Sequence, residues 1–305
     1  MASESAVLKR TANSALVPFE EAQAFEALLN YLWSSCGFDF KCYKRPILMR
    51  RVQRRMKLVA IARYSDYINY LKEHPEELAA LFKFLPVNFT GFFRDPLVWN
   101  YIAGEIIPRI IANKSSGELI KVWSAGCASG EEAYTLALLL VEALGVEQFK
   151  QRVRIYGTDV AIEAIAQARQ GCYSSNRATR VPPAILARYF ERIDNSYIFR
   201  WDLRHRMIFA QHNLLQNAPL SQVDLLVCRN TLMYFNFEGQ IRALVAFNFG
   251  LKDSGFLVVG NIETATLYTN IDLFTPVNWQ HRIFAKVPQS YTPRLLKAFQ
   301  QQKHR

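Results

Sequence analysis

The sequence has few cysteines, and their spacing matches no common metal site. Its five cysteines are scattered, with no C-x-x-C pair and no histidine spaced to complete a zinc site. We expect reduced thiols, no metal, and a structural role for the isolated His212. The first ten residues, MASESAVLKR, have no apolar signal-peptide core, and no stretch approaches the roughly 18 consecutive apolar residues of a membrane span. These absences predict a cytoplasmic protein.

Negative charge is also scarce. The 305-residue chain has 37 lysines and arginines against 26 aspartates and glutamates, which gives a formal net charge of +11. Such a balance favours an acidic partner, but charge alone does not choose among a protein surface, nucleic acid and anionic lipid. With 50% hydrophobic residues, the chain is long enough for one large core and a smaller one, so we expect one or two domains.

Up to residue 86 the sequence has the periodicity of amphipathic helices. Between about 18 and 37, apolar residues recur on one helical face, and Gly37 marks a C-terminal stop. A second apolar stripe runs from Ile47 to Val59, Ser65 is a candidate N-cap, and Pro75 suggests a further helix. We therefore predict an all-α N-terminal domain over residues 18–86.

From Ile120 onward, short apolar runs alternate with helical stretches. This rhythm indicates an α/β domain with a doubly wound parallel sheet, over residues 87–288. Between about 174 and 212 the rhythm breaks, and SYIFRWD and RMIFAQH are predicted to form a strand pair in an inserted β-subdomain. Residues 289–305 are predicted to be a basic, loosely ordered tail.

A glycine-containing turn, 126–130, joins the first predicted strand of this sheet to a helix. Glycines allow close approach of a ligand, and the absence of a following Gly-Lys-Ser/Thr excludes a phosphate-binding P-loop. Glu131 and Glu132 suit a cationic or hydroxyl-rich ligand, although Ser129 and Glu132 also match a capping box. Asp159 ends the second strand, where an acidic residue commonly binds a ribose hydroxyl pair. The pattern favours a nucleoside ligand and leaves both NAD and S-adenosylmethionine open.

A loop with the sequence NFTGFFRDP precedes this sheet and helps to decide between NAD and S-adenosylmethionine. Asp95 and Pro96 look like an N-cap and a first helical residue. The polar groups left on the loop are Asn88, Thr90 and Arg94. The alternative is that Phe92 and Phe93 belong to the core and that Arg94 is an exposed cation.

With this loop included, residues about 20–288 resemble the CheR-type protein-glutamate methyltransferases. The matching blocks are NFTGFFRDP, VWSAGCASGEEAYTLAL, IYGTDVAIEAIAQARQGCY, FAQHNLL, LVCRNTLMYF and HRIFAKV, in the family's order. The resemblance implies a Rossmann-like S-adenosylmethionine methyltransferase domain with an inserted small β-subdomain, preceded by the all-α domain. It also implies that glutamates of chemoreceptors are methylated, with S-adenosylhomocysteine as the second product.

The resemblance further implies which residues form the site. The cofactor pocket would be lined by Asn88, Thr90, Arg94, Gly126, Glu132, Asp159, Asn213, Leu214, Arg229 and Asn230. Asp159 would hold the ribose, and Arg94 and Tyr234 would lie near the methyl-transfer site and orient the acceptor. A glutamate carboxylate is already ionised at neutral pH, so the enzyme has mainly to position it.

A cationic stripe on the second predicted helix points to the partner. It contains Arg50, Arg51, Arg54 and Arg55. In the resembling family this domain touches the acidic methylation helices of receptors, which makes these arginines candidate substrate-binding residues. A solvated helix face is the alternative, and nucleic-acid binding is disfavoured because few aromatic residues are interleaved for stacking on bases.

Two features keep other functions open. GNIET at 260–264 departs from the family's pattern at Asn261 and Ile262, which admits a methyltransferase with a different protein acceptor. A non-catalytic sensor or scaffold that binds S-adenosylmethionine is a further alternative, against which Arg94 and Tyr234 argue. The connection ERIDNSYIF is short and lacks glycine, so we expect that no tethering peptide of the receptor is needed.

Overall fold

The computed structural model describes residues 19–86, 90–260 and 273–288. The chain divides into two compact units between Leu85 and Pro86. Each unit has a hydrophobic core of its own. None of the helices in the described ranges is long and apolar enough to cross a membrane.

The first unit is helical, as predicted. Its helices are α1 (Phe19–Cys36), α2 (Arg45–Leu58), α3 (Tyr64–Glu73) and α4 (Pro75–Phe84). Helix α1 ends at the predicted position, because Gly37 has a φ of +67° and its N–H donates to the Trp33 carbonyl at 2.8 Å. Helix α2 buries the predicted stripe of Leu48, Val52 and Met56. The all-α prediction for this part of the chain is confirmed.

The predicted N-cap of α3 is wrong. The helix begins at Tyr64, the cap position is held by Arg63, and Ser65 lies inside the first turn. The Ser65 hydroxyl donates to the neighbouring Asp66 carboxylate at 3.3 Å and makes no capping bond. Tyr64 is 4% exposed, and its ring packs on a phenylalanine of α1. Core packing of Tyr64 therefore starts the helix one residue before Ser65, the predicted cap.

The second unit is built on a seven-stranded sheet. Its strands are β1 (Ile120–Ala125), β2 (Val153–Asp159), β6 (Met207–Gln211), β7 (Val223–Cys228), β8 (Leu251–Val259), β9 (Phe274–Asn278) and β10 (Ile283–Lys286), in the order β6-β2-β1-β7-β8-β10-β9. The five strands from β6 to β8 run parallel, and β10 is antiparallel to both of its neighbours. The predicted parallel sheet is confirmed, with an antiparallel edge added.

Helices connect these strands. They are α5 (Pro96–Tyr101), α6 (Ile107–Ala112), α7 (Glu131–Leu144), α8 (Val146–Arg152), α9 (Ile162–Gln170), α10 (Ser175–Ala178), α11 (Pro183–Tyr189), α12 (Trp201–Arg204) and α13 (Phe237–Gly250). A π-helical turn over Ile102–Ile106 joins α5 to α6. Helix α7 follows β1 and buries residues on every side, including both of its first two glutamates. Its N-terminus therefore lies inside the protein, at the carboxyl end of the central strand.

The inserted subdomain differs from the predicted strand pair. Strands β3 (Cys172–Ser174), β4 (Phe190–Ile193) and β5 (Ser196–Phe199) form a separate antiparallel sheet in the order β3-β5-β4. SYIF therefore pairs with FERI, and the prediction that it pairs with RMIFAQH is wrong. Residues 207–211 form β6 at the edge of the main sheet, parallel to β2. Alternating apolar residues mark both segments as strands but do not specify a partner strand.

Candidate cofactor and active site

The glycine turn lies where the central strands end. Gly126 has a φ of +80°, and a Cβ built on it would lie 2.2 Å from the Thr231 hydroxyl oxygen, in the segment that follows β7. The N–H groups of Gly126 and Cys127 both donate to the Thr158 carbonyl of β2, at 2.7 and 2.9 Å. The turn is thus held by the strands on both sides of β1 and has no room for a side chain at position 126.

Asp159 ends β2 beside this turn and is 9% exposed. Its Oδ2 accepts the Ala128 N–H and its Oδ1 accepts the Ala161 N–H, each at 2.9 Å. Burial raises the pKa of this carboxyl group, and the backbone hydrogen bonds oppose the rise without cancelling it. A carboxylate has about four acceptor sites, so Asp159 keeps the capacity to receive a hydroxyl donor.

The first two glutamates of α7 have different partners. Glu132 accepts the Ser124 hydroxyl of β1 at 2.8 Å. Glu131 is fully buried, accepts the Ser129 hydroxyl at 2.9 Å and forms an ion pair with Arg177. A glycine occupies the N-cap position of α7, and its left-handed backbone leaves Ser129 outside capping geometry. The alternative reading of Ser129 and Glu132 as a capping box is therefore wrong.

The loop before α5 is anchored to α7. Phe92 is fully buried, and the Phe93 N–H donates to the Thr135 hydroxyl at 3.2 Å. Phe93 and Asp95 have left-handed backbone angles, with φ of +47° and +58°. Each such residue costs on the order of 1 kcal/mol or more. Phe92 is a core residue, as the alternative interpretation expected, whereas Arg94 is half-buried instead of exposed.

Arg229 joins the end of β7 to the same loop. Its Nη1 donates to the Arg94 carbonyl at 2.9 Å and its Nη2 to the Asp95 carboxylate at 2.5 Å. The guanidinium also lies over the Trp99 ring, 5.2 Å from its centre. Asp95 precedes α5 as predicted, but its carboxylate makes no capping bond and pairs with Arg229. The Arg229 Nε is buried without a hydrogen-bond partner among the described residues, which leaves this donor for a ligand.

A short helical turn follows Arg229. Asn230 has a left-handed φ of +60°, and Leu232–Tyr234 form a 3₁₀ turn. The Gln240 side chain donates to the Leu232 carbonyl at 3.0 Å and fixes this turn against α13. Asn230 lies outside this turn and has a left-handed backbone, so its spacing of four residues from Tyr234 does not place the two side chains on one helical face. Tyr234 is half-buried.

Asn213 and Leu214 follow β6 and are nearly buried. The Asn213 side chain is used within its own turn, where Oδ1 accepts the Leu215 N–H at 3.0 Å and Nδ2 donates to Gln216 at 2.8 Å. Beside it, the His212 ring bonds a backbone carbonyl through Nε2 at 3.0 Å. His212 is therefore tied into the fold, in keeping with the structural role expected for it.

The second unit places its predicted site residues at strand ends, on loops, in the first turn of α7 and in the 3₁₀ turn. Those within the described residues are Thr90, Arg94, Gly126, Glu132, Asp159, Asn213, Leu214, Arg229, Asn230 and Tyr234. Asn88 and the departing pair Asn261 and Ile262 lie outside the described residues. Within the described ranges, no group of three or more His, Cys, Asp or Glu side chains could hold a metal ion.

The four predicted arginines of α2 lie in the first unit and differ in their surroundings. Arg51 donates to the last carbonyl of α4 at 2.9 Å and packs on a phenylalanine ring. Arg55 forms an ion pair with Glu77, which is 5% exposed. Arg50 and Arg54 are exposed, although the Arg54 guanidinium also lies 5.6 Å from the centre of that phenylalanine ring. The stripe therefore has one pair of arginines that holds α2 to α4 and another pair that faces solvent.

Sequence reasoning missed side chains that hold the turn from a distance in the sequence. Ser124 gave a weak signal, as a hydroxyl within an apolar strand, and Thr231 gave none. Arg177 is 46 residues from Glu131 and looks in the sequence like any surface arginine. Such partners depend on which segments the fold brings together, and no local pattern specifies that.

Comparison with known proteins defines the class. Residues 88–283 match the S-adenosylmethionine-binding domain of the CheR methyltransferases, and residues 23–85 match their all-alpha domain. The second unit is thus an S-adenosylmethionine-dependent methyltransferase domain, and S-adenosylmethionine is its cofactor. The chain belongs to the CheR family of chemotaxis protein methyltransferases.

Individual relatives cover the chain to different extents. An uncharacterized 104.1 kDa protein of Rhodobacter capsulatus is 34% identical over 274 residues, which are 90% of this chain and 29% of that protein. The chemotaxis protein methyltransferase of Borreliella burgdorferi is 28% identical over 83% of this chain and 92% of its own length. The Escherichia coli chemotaxis protein methyltransferase is 29% identical over 78% of this chain and 83% of its own length. The matched region is thus nearly a whole protein in one relative and under a third of another.

Proposed function

We propose that this chain transfers a methyl group from S-adenosylmethionine to glutamate side chains in the cytoplasmic domains of chemoreceptors, forming methyl esters in the cytoplasm. The observation that carries the proposal is the arrangement at the carboxyl ends of β1, β2 and β7. There the buried Asp159 carboxylate, the tight turn at Gly126 and the Arg229 side chain lie on adjacent strands. Open α/β sheets bind their ligands at this edge. The match to the Borreliella and Escherichia chemotaxis protein methyltransferases spans most of the length of each relative, which supports a receptor as the acceptor.

The residues at this edge suit the cofactor in charge and in hydrogen-bonding capacity. We assign Asp159 to the ribose hydroxyls, because its carboxylate keeps acceptor capacity, and Gly126 to close approach of the backbone. The buried Arg229 Nε, which no described residue bonds, offers a donor. The other residues assigned to the pocket are Asn88, Thr90, Arg94, Glu132, Asn213, Leu214 and Asn230.

Methyl transfer to a carboxylate requires the protein mainly to position the reactants and not to supply acid–base catalysis. Bound S-adenosylmethionine supplies an electrophilic methyl group on a sulfonium centre. The glutamate acceptor is ionised at neutral pH, so it needs no general base. We assign Arg94 and Tyr234 to orienting that carboxylate, which accelerates transfer through proximity and alignment. A tight ion pair with Arg94 would reduce the nucleophilicity of the acceptor, so its role is positioning.

Recognition of the receptor falls to the helical unit in this proposal, with residues 18–86 assigned to recognition and 87–288 to catalysis. On α2 the exposed cations Arg50, Arg54 and Lys57 are spaced by four and three residues and share one face. An acidic receptor helix would complement this charge. Arg51 and Arg55 are assigned to holding α2 against α4, as their partners in that helix suggest.

Transfer of radiolabelled methyl groups to receptor cytoplasmic domains tests the proposed reaction. We expect label that mild base releases, as an ester requires, and that Asp159→Ala abolishes. Cofactor binding without transfer to any receptor domain would contradict the receptor assignment and favour a different protein acceptor or a non-catalytic role.

A charge-removal pair tests the α2 surface. Two exposed ion pairs together contribute about 1 kcal/mol, so Arg50→Gln with Arg54→Gln should raise the KM for receptor about fivefold at low salt, with less effect at high salt. Arg63→Gln with Lys72→Gln removes the same charge from the cap and last turn of α3 and serves as the control. Equal effects of the two double variants would show that net charge, and not the α2 face, attracts the receptor.

A further inference from the structure

The inserted subdomain touches the glycine turn through a compact polar cluster. Arg177 of α10 donates through Nη2 to the Ser129 hydroxyl at 2.5 Å and also pairs with the Glu131 carboxylate. Tyr173 of β3 donates its hydroxyl to the Ser129 carbonyl at 2.7 Å. Both donors belong to the segment that begins the small sheet, whereas Ser129 belongs to the turn before α7 and Glu131 is the first residue of that helix.

There is also little room beside Gly130 in this turn. A Cβ on Gly130 would lie 2.9 Å from the Ala168 Cβ and 3.0 Å from the Tyr173 hydroxyl. Position 130 therefore has no room for a side chain between α9 and Tyr173, and the bonds from Arg177 and Tyr173 tie the turn to the subdomain.

Charge makes Arg177 the decisive member of this cluster. The Glu131 side chain is 0% exposed, whereas the Arg177 side chain is 33% exposed. A buried carboxylate that loses its cationic partner must be protonated, rehydrated or moved, each at a substantial cost. Because Glu131 is the first residue of α7, any movement of its side chain toward water disturbs the turn directly before it.

A disturbance of this turn would reach the cofactor site through only a few bonds. Ser129 is bonded covalently to Ala128, whose N–H donates to the Asp159 Oδ2 at 2.9 Å. We propose that Arg177 is a positioning residue for cofactor binding, an inference that rests on the cofactor pocket of the proposed function. From the inserted subdomain it neutralises Glu131 and so holds the turn in the conformation that orients Asp159.

Calorimetric titration of the full chain with S-adenosylmethionine tests this role without any receptor. Arg177→Ala should weaken cofactor affinity by about tenfold, a common size for coupling between linked sites. Combining it with Glu131→Gln removes the uncompensated charge and should restore affinity to within about threefold of the wild type. The KM for receptor should not change, and Arg192→Ala, which removes an exposed cation from β4 of the same small sheet, should have no effect.

Two outcomes with these variants overturn the proposal. Unchanged affinity in Arg177→Ala shows that the turn needs no support from the subdomain. A weakened affinity that the Glu131→Gln background fails to restore shows that lost packing, and not charge, is responsible. Should Arg177→Ala not fold, Tyr173→Phe carries the test. It removes the bond to Ser129 and keeps the ring, so affinity should fall about threefold, as the loss of one hydrogen bond predicts, and unchanged affinity overturns the role. If wild-type protein binds cofactor but methylates no receptor, the proposed acceptor fails while this inference stands.

Discussion

Replacing Gly126 by alanine tests how closely the cofactor turn is packed. The substitution has two separate costs. A left-handed backbone at a non-glycine residue costs about 1–2 kcal/mol. The new Cβ would also lie 2.2 Å from the Thr231 hydroxyl oxygen, and such overpacking costs about 1–3 kcal/mol. We therefore expect Gly126→Ala to lower the free energy of unfolding by about 2–5 kcal/mol.

A matched glycine separates the two costs. Gly117 has a φ of +87° but nothing within 4 Å of a Cβ, so Gly117→Ala should lose only about 1–2 kcal/mol. The difference between the two variants measures the steric cost. In the Gly126→Ala background, Thr231→Ala removes the two nearest atoms and leaves only its Cβ at 3.0 Å, so it should recover most of that difference.

Urea denaturation followed by far-ultraviolet circular dichroism provides the free energies, with Thr231→Ala alone completing the cycle. Cofactor affinity should fall in Gly126→Ala and not in Gly117→Ala, because Gly117 lies before β1, at its opposite end. Equal destabilisation by the two alanines, or no recovery on Thr231→Ala, would refute the packing described for this turn.

Three further perturbations address other parts of the molecule. Burial raises the pKa of Asp159, and ribose hydroxyls bind the ionised form, so cofactor affinity should fall as pH drops through that raised pKa. Asp159→Asn should bind the cofactor weakly at every pH. If calorimetry shows that the cofactor affinity of the wild type does not change with pH, Asp159 does not bind the ribose as an ionised carboxylate. Burial acts to raise the pKa of Glu77, but hydrogen bonds from Arg55 and Tyr67 outweigh it and lower that pKa. Its stabilising contribution is then present above the ordinary glutamate pKa and is lost as pH falls through the lowered value. Glu77→Gln should cost about 3 kcal/mol near neutral pH and less in acid, measured by urea denaturation, and a cost independent of pH would argue against the ion pair. Arg229→Met should release the loop before α5 and lower the single-turnover rate constant about tenfold, as loss of a charged hydrogen bond of about 1.5 kcal/mol predicts. An unchanged rate constant would show that the loop is held without Arg229.

The parts of the fold that depend on local pattern could be predicted from the sequence. The apolar stripe Leu48, Val52 and Met56 needs only helical periodicity, and the end of α1 needs only Gly37. The glycine turn follows one recognisable strand, and Asp159 ends another. That both lie at one edge of a parallel sheet follows from the alternation of strands and helices.

What depends on distant partners could not be predicted. Asp95 has the sequence context of a helix cap, but Arg229, 134 residues away, takes its carboxylate. β5 pairs with β4, two residues before it, and with β3, although a later segment had an equally good alternating pattern. Competition between local and long-range partners is decided by packing and charge in the folded state, which a single sequence does not display.

Mass spectrometry of a receptor domain after incubation with the enzyme and S-adenosylmethionine tests the proposed reaction most directly, because it identifies the modified residue. We predict a gain of one methyl group on glutamates of acidic receptor helices, reversed by mild base and absent with Asp159→Ala. Base-stable methylation on lysine or arginine, or methylation that persists in Asp159→Ala, would contradict carboxyl methylation at this site.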